Sequence, residues 1–380
     1  MKVRFCEEVM ESQPVRILHV LDQLSVNSGV SNVAMGYVRN IDPSKFIVDI
    51  AVYMPSDDGL IREIETRSGK VHQLPEISFP FASAYCASFA KILEQESYPI
   101  IHGHLPTAAF LFLKEAKRKA VPNRIIHAHS CGVDGFAKQV RNRILMSMIP
   151  RYANHYVSCS NAATDYVYGK STKPKVHLIL NGIEPTRFHF SATTRNEMRN
   201  ALGIKEDDLC VGHVGRITSI KNHSFLLNAF NELLQSGQRA KLVLVGEGEL
   251  QKAVEQQIKE LNIEQVVHLV GKTDTVENYY QAFDQFWFPS LKEGWGVAGL
   301  EAQCAGLPCL FSKSIPREIN IVKENVQFLS IDNPSEWAET SRHIGKIVRQ
   351  DVTQAIYDSG FDITTQIKRL ESIYTTMMGS

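Results

Sequence analysis

Two α/β domains, each a doubly wound parallel sheet, facing one another across a cleft: three observations predict this fold class. Short runs rich in Val, Ile and Leu alternate with amphipathic stretches, the pattern of parallel strands joined by crossover helices. The alternation occurs on both sides of Asn181-Gly182-Ile183-Glu184-Pro185, where turn residues follow an apolar strand. A chain of 380 residues is also too long for one core of ordinary size.

In order along the chain, strands are expected at 15–20, 47–54, 100–103, 124–128, 156–158 and 176–180, then at 210–214, 241–245, 267–270, 285–288 and 308–311. Helices intervene, among them 30–39, 224–236, 249–261 and 276–282, and a final amphipathic stretch covers 364–374. The expected division is a first domain over 1–182, a second over 183–360 and a closing segment over 361–380. Ligands of open parallel sheets bind beyond the carboxyl ends of the strands, so the site should lie in the cleft.

Lys plus Arg and Asp plus Glu each number 41, and the zero balance argues against a nucleic-acid binder. Seven scattered cysteines without a Cys-x-x-Cys pair fit reduced thiols better than a disulfide framework or a zinc site. The first ten residues lack an apolar signal core, and no run approaches the roughly 18 apolar residues that span a bilayer. The expectation is a cytoplasmic protein, at most peripheral to a membrane. Residues 136–149 supply one route to such contact, because Lys138, Arg141 and Arg143 precede an apolar segment on an amphipathic helix.

The most informative string is 288–308, Phe-Pro-Ser-Leu-Lys-Glu-Gly-Trp-Gly-Val-Ala-Gly-Leu-Glu-Ala-Gln-Cys-Ala-Gly-Leu-Pro. Glu293 and Glu301 stand seven residues apart across a loop-to-helix junction. Gly294 and Gly296 let backbone approach a ligand, and the opening amides at Val297, Ala298 and Gly299 suit a phosphate. Carboxylates suit neutral hydroxyls. A phosphate flanked by two polyols describes a nucleotide-sugar.

A second signal is 211–223, where a strand ends at Gly215 and Arg216 and Lys221 follow before a helix. Two cations at one strand end can neutralise a diphosphate and stabilise it as it departs. Gly246-x-Gly248 lacks the third glycine of a dinucleotide turn and is read as a tight strand-to-helix turn; Gly271-Lys272-Thr273 lacks the leading glycine of a P-loop, which is rejected. His102-Gly-His104 and His127-Ala-His129 each put two imidazoles on one face of a strand end. No Asp, Glu or Cys cluster accompanies them, so no metal is expected. The loop 25–33, with Gly29, opens a helix whose amides face the diphosphate or the acceptor.

These strings resemble the retaining GT-B glycosyltransferases of family 4. The similarity runs from about Pro14 to Tyr374 and is strongest over 211–310, in Gly-Arg…Lys-Asn and in Glu, seven residues, Glu with its flanking Phe-Pro-Ser and Ala-x-Gly-x-Pro. It implies that Glu293 contacts the donor sugar and Glu301 the ribose diol, with Arg216 and Lys221 on the diphosphate. It places the base near Gly271 and puts His129, with His127 as the alternative register, near the outer sugar hydroxyls. It further implies a last helix that crosses back to the first domain, and retention of configuration without a cofactor or metal.

Two departures stand out. Ser28-Gly29 replaces the usual Gly-Gly and Glu, and Ser312-Lys-Ser-Ile-Pro-Arg-Glu318 replaces a Gly-rich turn, as in exopolysaccharide and capsule enzymes. The expected activity is hexosyl transfer from a nucleotide-sugar, UDP-linked, to a glycan or lipid-linked hydroxyl. A non-catalytic nucleotide-sugar-binding scaffold and a nucleotide-sugar epimerase are the alternatives.

Overall fold

The computed structural model describes residues 13–26, 28–77, 82–133, 135–169 and 176–379. Asn27 of the first expected ligand loop lies outside them. Seven strands form the first sheet: β1 (Val15–Val20), β2 (Phe46–Val52), β3 (Val71–Gln73), β4 (Ile100–Gly103), β5 (Asn123–Ala128), β6 (His155–Ser158) and β7 (Val176–Leu178). Their order is β3-β2-β1-β4-β5-β6-β7. The second sheet contains β8 (Leu209–Val214), β9 (Ala240–Val245), β10 (Val267–Gly271), β11 (Gln285–Phe288), β12 (Cys309–Ser312) and β13 (Val326–Leu329), in the order β10-β9-β8-β11-β12-β13. Every pairing between these strands is parallel.

All eleven expected strands occur, with ends shifted by two residues at most. The additional strands, β3 and β13, lie at sheet edges. Their sequences, Val-His-Gln and Val-Gln-Phe-Leu, mix polar residues into short runs because an edge strand is only partly covered. Interior strands read plainly because both faces are buried; at Gly212 of β8, the Phe283 ring occupies the space a Cβ would need, 2.1 Å from its ideal position.

Strand order reverses between β1 and β4 in the first sheet and between β8 and β11 in the second. The loops leaving those strands carry the expected ligand residues, as the geometry of open sheets requires.

The chain crosses between the sheets twice, side by side. Ile183 donates its amide to Phe361 O at 3.0 Å, and Ile363 donates to Ile183 O at 2.8 Å. A Cβ on Gly182 would sit 2.7 Å from Ile363 Cα, so only glycine permits this approach. The Asp362 side chain caps the next helix, accepting from Thr365 N at 2.8 Å. That helix, Ile363–Met378, buries Ile363, Gln366, Ile367, Leu370, Tyr374 and Met377, the spacing of one helical face, in the core of the first sheet.

Replacing Gly182 with Ala should cost about 1–3 kcal/mol through forced backbone displacement. Thermal unfolding should shift down, and limited proteolysis should cut near residue 361 sooner than in the wild type. Unchanged melting and unchanged cleavage would contradict the close-approach argument.

Candidate active site

The acidic loop leaves β11 and reaches the first sheet. A Cβ on Gly294 would lie 2.9 Å from His129 O, so this glycine admits backbone from the opposite domain. That differs from the ligand approach expected of it from sequence. Gly296 has a φ of +84° and serves as the N-cap of the helix Val297–Cys304. A left-handed residue at that point is cheap only for glycine. No side chain caps this helix, which leaves the amides of Val297 and Ala298 at its mouth; the Gly299 amide turns back to Gly296 O at 2.9 Å.

Lys221 Nζ lies 2.6 Å from Glu293 Oε1, and both side chains are largely buried. The ammonium also sits 4.8 Å from the centroid of the Phe288 ring. Gly215 makes room for it: a Cβ there would stand 3.1 Å from Lys221 Cε. Arg216, by contrast, is 69% exposed, and its guanidinium comes no closer than 4.0 Å to Glu249. One cation is therefore held and the other is free to meet an anion.

Glu301 accepts a hydrogen bond from Tyr280 Oη at 2.8 Å. Burial pushes its carboxyl pKa up, while the Tyr280 hydrogen bond opposes that shift. The buried Trp295 indole, packed edge-on to Phe361, has an N–H without a partner among the described residues, a donor that sequence reading did not single out.

The Gly-x-Gly turn has a structural task. Cβ atoms on Gly246 and Gly248 would each approach a carbonyl of the Arg216 loop, Gly215 O and Ile217 O, to 2.2 Å. Ile217 N donates to Glu247 O at 3.0 Å, so the two loops are laced together. Gly271, at φ +76°, closes the end of β10; Gly246 N donates to its carbonyl at 2.9 Å, and Glu247 Oε1 accepts from Lys272 N at 3.2 Å. On the opposite side Gly29 begins the helix Gly29–Asn40, capped by the Ser28 side chain, which accepts from Ser31 N.

The histidines form the feature least visible in the sequence. His102, His104, His127 and His129 are joined by His19 from β1, with Tyr374 from the last helix bonded to His19 and His102. His127 is wholly buried, whereas His129 is partly exposed and its carbonyl meets Gly294 of the second domain. Two overlapping triads, His19/His102/His104 and His104/His127/His129, hold ligand-type nitrogens within 4.8 Å of one another. Their donors suit a first-row transition metal in kind. All but two of the ring nitrogens are already engaged in bonds within the cluster or to Tyr374, however, leaving little ligating capacity.

Two parallel-sheet domains, with an uncapped helix mouth, paired carboxylates and cations in the cleft between them, define the GT-B class of glycosyltransferase. Residues 28–187 match the model of Glycosyltransferase Family 4, and residues 194–358 match that of Glycosyl transferases group 1. The chain is 29% identical to Bacillus subtilis EpsF over 375 residues, covering 96% of this chain and 97% of that one. It is 23% identical over 310 residues to an Escherichia coli UDP-Gal:alpha-D-GlcNAc-diphosphoundecaprenol alpha-1,3-galactosyltransferase, covering 77% and 79% respectively. Anabaena Alr3699/HepE, solved with UDP and glucose, shares the fold at a TM-score of 0.79 and 17% identity, over 95% of this chain and all of that one. The chain belongs to the family 4 glycosyltransferases, and it is an enzyme of glycosyl transfer.

Burial holds His19 and His129 at pKa values of about 3, and keeps His102, His104 and His127 well below the usual 6.5. Above pH 6.5 these histidines are neutral in both folded and unfolded chains, and stability is fully present. As pH falls from 6.5 toward 3, only the unfolded chain takes up their protons, so stability is lost. His19 alone would account for about 4 kcal/mol across that window. Calorimetric melting should be flat above pH 7 and fall steeply between pH 6 and 4.5. A flat profile down to pH 4.5 would contradict the neutral cluster.

Proposed function

We propose that the enzyme is a retaining glycosyltransferase that moves a hexosyl group from a UDP-sugar to a hydroxyl of a glycan or lipid-linked acceptor, in cell-surface polysaccharide synthesis. The observation that carries the reading is the 2.6 Å contact between Lys221 and Glu293. It sets a cation beside a carboxylate, the pairing that would suit the junction of a diphosphate and a sugar, the bond that must break. Lys221 and Arg216, with the amides of Val297 and Ala298, would stabilise the departing diphosphate, the task a divalent ion performs elsewhere; the reaction then needs no metal. Glu293 would hold sugar hydroxyls, and Glu301 the ribose diol.

On this reading the bond from the anomeric carbon to the diphosphate oxygen breaks as the acceptor oxygen bonds to the same face. The acceptor proton passes to the departing phosphate oxygen. The uridine donor is supported by the UDP held in the Anabaena structure and the UDP-Gal named for the Escherichia coli relative. A lipid-linked acceptor is supported by that relative's diphosphoundecaprenol substrate.

The helix Phe136–Met146 fits the same setting. Phe136, Val140 and Ile144, four residues apart, form an exposed apolar stripe, with Phe136 82% and Ile144 62% exposed. Lys138, Arg141 and Arg143 are exposed on the same helix. Cations flanking an apolar stripe suit an anionic lipid surface. Among the described residues no helix is long and apolar enough to cross a membrane.

Binding of UDP-, GDP- and ADP-sugars should single out the UDP class. Arg216→Ala and Glu301→Ala should each weaken it tenfold or more, about 1.4 kcal/mol. No binding by any class, or binding indifferent to both substitutions, would overturn the site. Proton NMR of fresh product should show the anomeric configuration of the donor; inversion would remove the retaining assignment. In sedimentation with vesicles, the protein should bind those containing anionic lipid, and Phe136→Ser with Ile144→Ser should abolish this. Equal recovery with neutral vesicles would count against the lipid surface.

A further inference from the structure

Glu301 lies about one turn beyond the open amides of Val297 and Ala298, and it is held from a second helix, Val276–Ala282. Tyr280 of that second helix is wholly buried. Its Oη lies 2.8 Å from Glu301 Oε2 and 3.1 Å from Ala298 O. Phe188, Phe283 and Phe286 surround the ring, with centroids 5.6, 5.6 and 5.7 Å away. Arg195, Arg199 and Arg349 donate to the carbonyls of residues 280–283 and so close the end of the helix that carries it. The phenol is fixed by its ring, by its helix and by two acceptors.

A phenol has one proton, and this one faces two acceptors. Burial, and after it the Glu301 charge, pushes the Tyr280 pKa well above the usual value, so the proton stays. An ionised acceptor draws the shorter and stronger bond. The 2.8 Å contact is therefore the O–H donated to Glu301 Oε2, and the 3.1 Å contact to Ala298 O is its weaker companion. Were Glu301 protonated, its own O–H would donate to Tyr280 Oη, and the phenol proton would turn to Ala298 O. The two bonds form a switch with one setting for each charge of Glu301.

In the ionised setting Glu301 Oε1 stays outside this network. It has no hydrogen-bond partner among the described residues and remains accessible, because Glu301 is only partly buried. A carboxylate oxygen accepts and does not donate, so Oε1 suits a group that brings its own hydroxyl protons. Burial is the largest influence raising the Glu301 pKa, and the Tyr280 bond is the largest opposing it. The other charges facing Glu301 are more distant. Arg187, on the short helix Pro185–Phe188, and Lys221, after β8, favour the carboxylate, whereas Glu277 opposes it. Arg187 is paired with Glu277 at 2.8 Å and Lys221 with Glu293 at 2.6 Å. Cys304, on the same helix as Glu301, is a thiol that burial pushes up to about 12, and it carries no charge.

We propose that Tyr280 is a positioning residue for the donor: its O–H holds Glu301 Oε2, keeps the side chain against the first turn of its helix and keeps it ionised, so that Oε1 receives the ribose diol. The proposal rests on the reading of Glu301 as the ribose residue, and it adds a second helix that controls the charge of that residue. Removing the phenol O–H takes away what opposes burial. The carboxyl then takes up its proton at higher pH, and the loss of donor affinity grows as pH falls.

Calorimetric titration of the full-length protein with UDP-glucose, whose diphosphate has no group titrating between pH 5.5 and 8, tests this in a double-mutant cycle. Tyr280→Phe should weaken binding roughly tenfold at pH 5.5 and no more than about threefold at pH 8. In the Glu301→Gln background, where nothing ionises at that position, the same change should cost less than about twofold at either pH. An equal loss at both pH values, or in both backgrounds, marks a packing defect and overturns the proposal. A weakened Glu301→Gln beside an indifferent Tyr280→Phe overturns the proposal alone. A Glu301→Gln enzyme that binds UDP-glucose as the wild type does overturns the ribose reading beneath it.

A second measurement needs neither ligand nor Tyr280 variant. In wild-type protein labelled with 13Cζ-tyrosine, one tyrosine signal should move as pH falls from 8 to 5.5 and stand still in Glu301→Gln. If no tyrosine signal behaves in this way, Tyr280 does not follow the charge of Glu301 and the proposal is overturned.

Discussion

Two strands of backbone lie against each other where the chain leaves the first domain and where it returns. The pairing of Ile183 with Phe361 and Ile363 is possible because Gly182 has no side chain to hold them apart. This contact fixes where the last helix begins, and Asp362 caps the helix at that point. The helix then carries Tyr374 about three turns onward into the core of the first sheet, where its phenol joins the imidazole chain. A local backbone constraint at the domain boundary thereby governs a side chain buried in the core of the first sheet.

The second wall is organised by equally close backbone approach. Glycines 246 and 248 bring one loop onto the Arg216 loop, and Gly294 brings the acidic loop onto the His129 carbonyl. The result is an ion pair at Lys221 and Glu293 held in partial burial, an exposed Arg216, and a helix mouth without a cap. Buried pairs of this kind contribute little net stability, because desolvation offsets attraction. On the proposed function their value is orientation: charges that would meet a diphosphate and a sugar are already in place before the ligand arrives.

The histidine cluster shows burial prevailing over charge. Five imidazoles within hydrogen-bonding distance of one another could not all be protonated, and desolvation is the largest influence holding each neutral. Neutrality in turn gives each ring one donor and one acceptor, which is what allows an ordered chain. Such a network has few ways to be satisfied, so its members constrain one another more strongly than isolated pairs would.

By itself the sequence determined the alternating parallel-strand architecture, because strands buried on both faces must be continuously apolar and helices joining them must be amphipathic. It also determined the acidic motif and the paired cations, since glycine spacing and a loop-to-helix junction are local properties. The short edge strands β3 and β13 were not legible, being only three and four residues long and interrupted by His72, Gln73 and Gln327. Nor were the roles of Gly182 and Gly294, whose reason for being glycine is backbone from residues 363 and 129. The His-x-His pairs were visible, yet the inclusion of His19 and Tyr374 was not: sequence separations of 85 and 272 residues collapse to 3.0 and 2.5 Å only when β1, β4 and the last helix are assembled. Periodicity reports which face of an element is buried. Which partner's atoms meet it there is decided by the tertiary structure alone.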